Sequence, residues 1–132
     1  MKTKHQNIKI VGRVTYGNGL GQRFGFPTAN LTPTEEMEGV ADGVWAALAE
    51  VEGRLWHAVV NVGFSPSVVT AGGRRIEAHI MGYEGDLYGK TISLVLRHYI
   101  REERKFPTRE ALIEQIGHDR DRAEELLDEE TN

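Results

Sequence analysis

The feature that most constrains this fold is a change of hydrophobic period along the chain. Arg75–Tyr83, "RIEAHIMGY", alternates strictly: Ile76, Ala78 and Ile80 fall on one face, and Glu77, His79 and Met81 on the other. Thr91–Ile100 alternates again, with Ile92, Leu94 and Leu96 facing inward. Ile8–Val14 shows the same pattern, and Gly43–Val51 and Arg54–Val62 read as two strands around an "EG" turn. A short extended piece is expected over Pro27–Leu31. Thr32–Asp42 reads as a polar connection and Gly63–Gly73 as a loop. After Pro107 the period lengthens. Thr108 is a good N-cap, and Leu112, Ile116, Ala123 and Leu127 recur at spacings of 4, 7 and 4. That is one apolar stripe on a helix, or on two helices broken near Gly117. Antiparallel hairpins followed by a terminal helix predict a mainly β chain, a small closed barrel capped by that helix.

Length and charge narrow the function classes. The 132 residues fit a single domain spanning 1–132. With no cysteine, disulfides and thiolate metal sites are excluded, and a reducing, cytoplasmic setting is expected. No apolar run approaches the ~18 residues of a membrane span. Residues 1–7 are polar and read as a flexible start with no signal-peptide centre. The net charge of −4 argues against a nucleic-acid partner. A local strip of Arg97, Arg101, Arg104 and Lys105 leaves two readings, a basic patch or a solvated strand end.

The chemistry-bearing candidates begin at "GNGLGQRFGFPTANL", with glycines at 17, 19, 21 and 25. It is no GxxxxGK[ST] phosphate loop, and no helix follows to make a dinucleotide fingerprint. The five histidines show no metal-ligand spacing, and no serine stands in a nucleophile elbow. Successive main-chain N–H groups in such a loop can form a nest for phosphate oxygens, or the loop is a slack hairpin. Thr28 and Asn30, at i and i+2 of an extended piece, point the same way. Their neutral oxygens suit Mg²⁺ shared with a nucleotide, or else tie the loop to itself. Glu77, with His79 beside it, is either an ordinary solvated glutamate or a carboxylate that accepts a proton from an attacking hydroxyl.

These stretches taken together are similar to a known family. "GNGLGQRFGFPTANL", "RIEAHIMGYEGDLYGKTISL", "IREERKF" and "LIEQIGHDRDRAEELL" resemble, in order, the signatures of the riboflavin kinases (flavokinases). The resemblance runs from about residue 8 to 127. It implies a six-stranded antiparallel, Greek-key-like barrel with a C-terminal helical element. It implies transfer of the ATP γ-phosphate to the 5′-hydroxyl of riboflavin, giving FMN and ADP. Gly17, Gly19, Gly21, Gly25, Pro27, Thr28 and Asn30 would bind ATP. Thr28 and Asn30 would also hold Mg²⁺, Glu77 would be the general base, and Arg101, Glu103 and Phe106 would line the flavin site. The flavin ring is expected in an apolar slot between barrel and helix. In bifunctional FAD synthetases this module follows an adenylyltransferase half; that half's motif does not occur here, so the chain is expected to stop at FMN. Riboflavin and ATP are the expected partners of a monomer, with no nucleic acid and no membrane. Two other classes compete: a flavin-binding module without catalysis, and a small barrel that binds nucleic acid.

Overall fold

A computed structural model of the chain describes residues 7–15, 28–33, 40–64 and 74–131. All but the last residue of the predicted flexible start, the glycine loop with Gly17, Gly19, Gly21, Gly25 and Pro27, and most of the two long connections lie outside the described residues. Six strands are seen: β1 (Ile8–Thr15), β2 (Ala29–Pro33), β3 (Gly43–Val51), β4 (Arg54–Phe64), β5 (Arg74–Ile80) and β6 (Thr91–Arg101). One helix, α1 (Arg109–Thr131), follows them. The strands close into a barrel in the order β1-β2-β5-β4-β3-β6, every pair antiparallel. Closure leaves no free sheet edge. β2 pairs with β5 rather than with β3, which is the crossover of a Greek key.

The alternating residues fill the barrel. Ile76, Ala78 and Ile80 of β5 meet Ile92, Leu94 and Leu96 of β6, Val60 and Val62 of β4, and Ile10, Val14 and Leu31. β3 does not alternate, because both of its faces are covered. Trp45, Ala47 and Ala49 face the barrel interior. Ala46 faces outward against Ala123, Leu126 and Leu127 of α1. A helix seated on the outside of a strand converts period-2 patterning into a near-continuous apolar run.

Local chemistry explains the joints. Glu52 and Gly53, at φ 50° and 81°, make the β3–β4 hairpin turn. Two left-handed residues in succession give the type I′ geometry that matches strand twist. The Thr108 hydroxyl accepts a hydrogen bond from the Ala111 N–H at 3.1 Å and caps α1. The helix runs unbroken through Gly117, so the stripe belongs to one helix rather than two. No helix among the described residues is long and apolar enough to cross a membrane.

Gly43 opens β3 at φ +145°, where a Cβ would lie 2.5 Å from the Arg101 carbonyl oxygen and 2.6 Å from the Tyr99 hydroxyl. Gly43→Ala is therefore expected to destabilise the barrel by about 1–3 kcal/mol through strain and overpacking. The shift in urea midpoint measures it, and an unchanged midpoint would contradict the close approach.

Candidate active site

One row of paired residues organises the outer surface of the barrel. Thr15 pairs with Asn30, Asn30 with Glu77, Glu77 with Asn61, Asn61 with Val44, and Val44 with Arg101. Directly paired residues share a face, with Cβ atoms about 4.5–5.5 Å apart. Leu31, Ile76, Ala78, Val60 and Val62 occupy the interior, so Asn30, Glu77 and Asn61 all point outward. Sequence reading proposed Asn30 and Glu77 as parts of one site, and the register sets them side by side. It had no means of finding Asn61, because that needs the β4–β5 register.

The outward face here is not solvent. A cavity of about 870 Å³ lies between the barrel and the first half of α1. Thr28, Asn61 and Glu77 line it together with Arg101, Glu103 and Phe106. Val44, Val59, Leu112 and Ile116 add apolar wall. All three residues expected in the flavin site thus face the same space as the expected base. Asn30 belongs to the same row but is not among the residues lining the cavity.

Glu77 is 18% exposed, with the Arg75 guanidinium Nε 3.7 Å from its Oε1. Burial pushes its carboxyl above the ordinary value of 4.5; Arg75 opposes the rise and the Glu103 charge adds to it. Arg75 also reaches Glu103, with Nη2 3.6 Å from Oε1, so it stands between two carboxylates. Gly63, opposite Arg75 in the β4–β5 ladder, leaves the room that the Glu103 carboxylate occupies.

Among the buried polar atoms at this cavity, the Thr28 hydroxyl and the Asn61 side-chain carbonyl have no hydrogen-bond partner among the described residues, and the Arg75 Nε has only its 3.7 Å contact with Glu77. Leaving such a group unpaired costs about 1–3 kcal/mol. A ligand hydroxyl or a cation would satisfy the Thr28 and Asn61 oxygens.

The segment from Arg101 to α1 is stitched together. Arg101 makes a two-pronged contact with Asp119, Nε to Oδ1 at 2.9 Å and Nη2 to Oδ2 at 2.8 Å. Gln115 donates to Asp119 Oδ1 at 2.9 Å, and Arg104 donates to Gln115 Oε1 at 2.7 Å. The guanidinium carbons of Arg101 and Arg104 lie 5.6 and 5.5 Å from the centre of the Phe106 ring. Asp119 was missed from sequence although a signal existed: it falls in the gap of 7 between Ile116 and Ala123, on the buried stripe itself. The basic strip also resolves. Arg97 bonds Glu130 through Nε at 3.1 Å and Arg101 is held by Asp119, so half of the strip is neutralised by the helix.

Comparison with known proteins bears on what this cavity serves. A family model described as Flavokinase: Riboflavin kinase matches residues 4–127. The bifunctional riboflavin kinase/FMN adenylyltransferase of Escherichia coli is 40% identical over 122 residues, covering 89% of this chain and 37% of that protein. The RNA-binding riboflavin kinase RibR of Bacillus subtilis is 36% identical over 110 residues, covering 83% of this chain and 47% of that one. The chain thus spans less than half the length of these curated relatives. Among solved structures, a chain titled macrolide-efflux protein from Streptococcus pneumoniae matches with a TM-score of 0.77 and 31% identity, over 87% of this chain and 38% of that one. Riboflavin kinase from Trypanosoma brucei matches with a TM-score of 0.63 over 93% of this chain and 81% of that one; at 19% identity this is a likeness of fold. With its closed six-stranded barrel, its helix-covered cavity and a family match over nearly its whole length, the chain belongs to the riboflavin kinase (flavokinase) family.

Proposed function

We propose that the chain phosphorylates riboflavin, transferring the γ-phosphate of ATP to the 5′-hydroxyl to give FMN and ADP. The observation that carries this reading is the half-buried Glu77 carboxylate in a cavity whose far wall is the apolar face of α1. Glu77 takes the proton of the 5′-hydroxyl as that oxygen bonds to the γ-phosphorus. The bond from the γ-phosphorus to the β–γ bridging oxygen breaks, its electron pair leaves with ADP, and the proton on Glu77 passes to solvent. Val44, Val59, Leu112, Ile116 and Phe106 offer a flat apolar ring the slot it needs. Holding both substrates in place supplies much of the acceleration in such a transfer.

The donor set beside the carboxylate suits a hard cation. Thr28 brings a buried hydroxyl with no partner among the described residues, and Asn30 an amide oxygen in the next outward position. These two residues would hold Mg²⁺ together with ATP. A bound Mg²⁺ supplies charge neutralisation at the phosphates. Thr28→Ala is expected to raise the Mg²⁺ concentration for half-maximal turnover roughly tenfold; an unchanged titration curve would remove Thr28 from metal binding.

The same reading takes residues 1–132 as one cytoplasmic kinase domain, acting as a monomer. It includes no nucleic-acid partner, since Arg97 and Arg101 are engaged by carboxylates of α1. Incubation with riboflavin, ATP and Mg²⁺, followed by chromatography for FMN, tests the whole proposal. Binding of flavin without FMN formation would favour a non-catalytic module.

A further inference from the structure

We infer that Asn61 recognises the hydroxyl next to the one phosphorylated, which makes the acceptor site specific for a terminal 1,2-diol. This rests on the riboflavin kinase reading above and adds a specificity residue to it.

The argument starts from strand order. β5 lies between β2 and β4. Glu77 on β5 therefore has the Thr28 and Asn30 side of the barrel on one flank and Asn61 on the other. If the phosphates and their cation lie on the β2 flank, an acceptor whose terminal hydroxyl meets Glu77 has its remaining chain directed over β4. The first side chain it passes there is Asn61.

Asn61 is built to take a hydroxyl. Its carbonyl oxygen is buried with no hydrogen-bond partner among the described residues, although it stands mid-strand on an outward face. Its pairing neighbour on β3 is Val44, and Val59 precedes it by two on the same face; both line the cavity and neither offers a hydrogen bond. A carbonyl in that setting accepts a hydrogen bond from a ligand donor or goes without. Adjacent strands run about 4.8 Å apart. Two hydroxyls on neighbouring carbons can therefore address one strand each, the terminal one at Glu77 and the next at Asn61. An acceptor lacking the second hydroxyl leaves the Asn61 carbonyl unpaired, and sites built to bond a hydroxyl discriminate strongly against analogues without it.

The experiment compares kcat/KM for riboflavin and for 4′-deoxyriboflavin in the wild-type protein, Asn61→Ala and Asn61→Ser. Wild type is expected to favour riboflavin by about tenfold or more. Asn61→Ala should lower kcat/KM for riboflavin far more than for the deoxy compound, so the preference shrinks to about twofold or less. Asn61→Ser keeps an oxygen and should retain part of the preference; it decides the matter should Asn61→Ala not fold. Equal losses on both substrates, or no preference in wild type, would overturn the inference while leaving the kinase reading intact. Absence of any FMN from riboflavin would overturn both.

Discussion

Glu77→Gln is expected to lower kcat by roughly 10²–10⁴ and to leave the barrel folded. Glutamine keeps the size of the side chain and its place on the outward face of β5. It cannot accept the hydroxyl proton. The KM for riboflavin should change little, because ring contacts with the α1 wall are untouched. Wild-type turnover in this variant would exclude Glu77 as the base. The pH dependence follows from the environment. Burial raises the Glu77 carboxyl above 4.5, and the base must be ionised to act, so the acid limb of kcat/KM should lie above the usual glutamate range. Glu103→Gln removes a like charge and should move that limb downward. Stability has the opposite sign. A carboxyl raised in the folded state contributes stability below its unfolded value and loses it as pH rises through the folded one. Glu77→Gln should therefore unfold at a higher temperature than wild type near neutrality, and the difference should vanish below the unfolded carboxyl value.

Asp119→Ala is expected to lose about 2–4 kcal/mol of stability and to raise the KM for riboflavin. The Asp119 side chain is 5% exposed and that of Arg101 17%, so truncating the acid strands a mostly buried guanidinium. Gln115 loses its acceptor at the same time. Arg101 would then be free to leave the Phe106 ring, loosening that part of the cavity lining. Urea unfolding and steady-state kinetics read the two effects. An unfolding free energy within about 0.5 kcal/mol of wild type would show that the pair contributes as little as a surface one.

β5 and β6 were legible because each has one face in the barrel core, so period 2 survives in the sequence. β3 was legible as apolar, but its two-sided burial was not, since the second cover comes from a helix some seventy residues later. Thr28, Asn30 and Glu77 stood out by residue type and by family resemblance. What set Thr28 and Glu77 apart from a solvated surface was the cavity, which depends on where α1 lies, whereas Asn30 is placed by its pairing with Glu77. Asn61 could not be seen, because facing Glu77 is a property of strand pairing and not of spacing along the chain. Asp119 could have been suspected. An acid on an apolar stripe has to meet a cation, and Arg101 sits just before the helix begins.

The two halves of α1 are held in different ways. Its distal half is clamped: Ala123, Leu126 and Leu127 are seated on the barrel, and Glu130 bonds both Arg97 and His98. Its proximal half, with half-buried Leu112 and Ile116, overhangs the cavity and is tied mainly through Asp119 and Gln115. The helix is a cantilever, fixed at its far end and bearing its load at the near one. Attachment to the barrel and contact with the ligand are thereby assigned to separate lengths of a single element. The residues of α1 that face the cavity can vary without loosening the joint that holds the helix on.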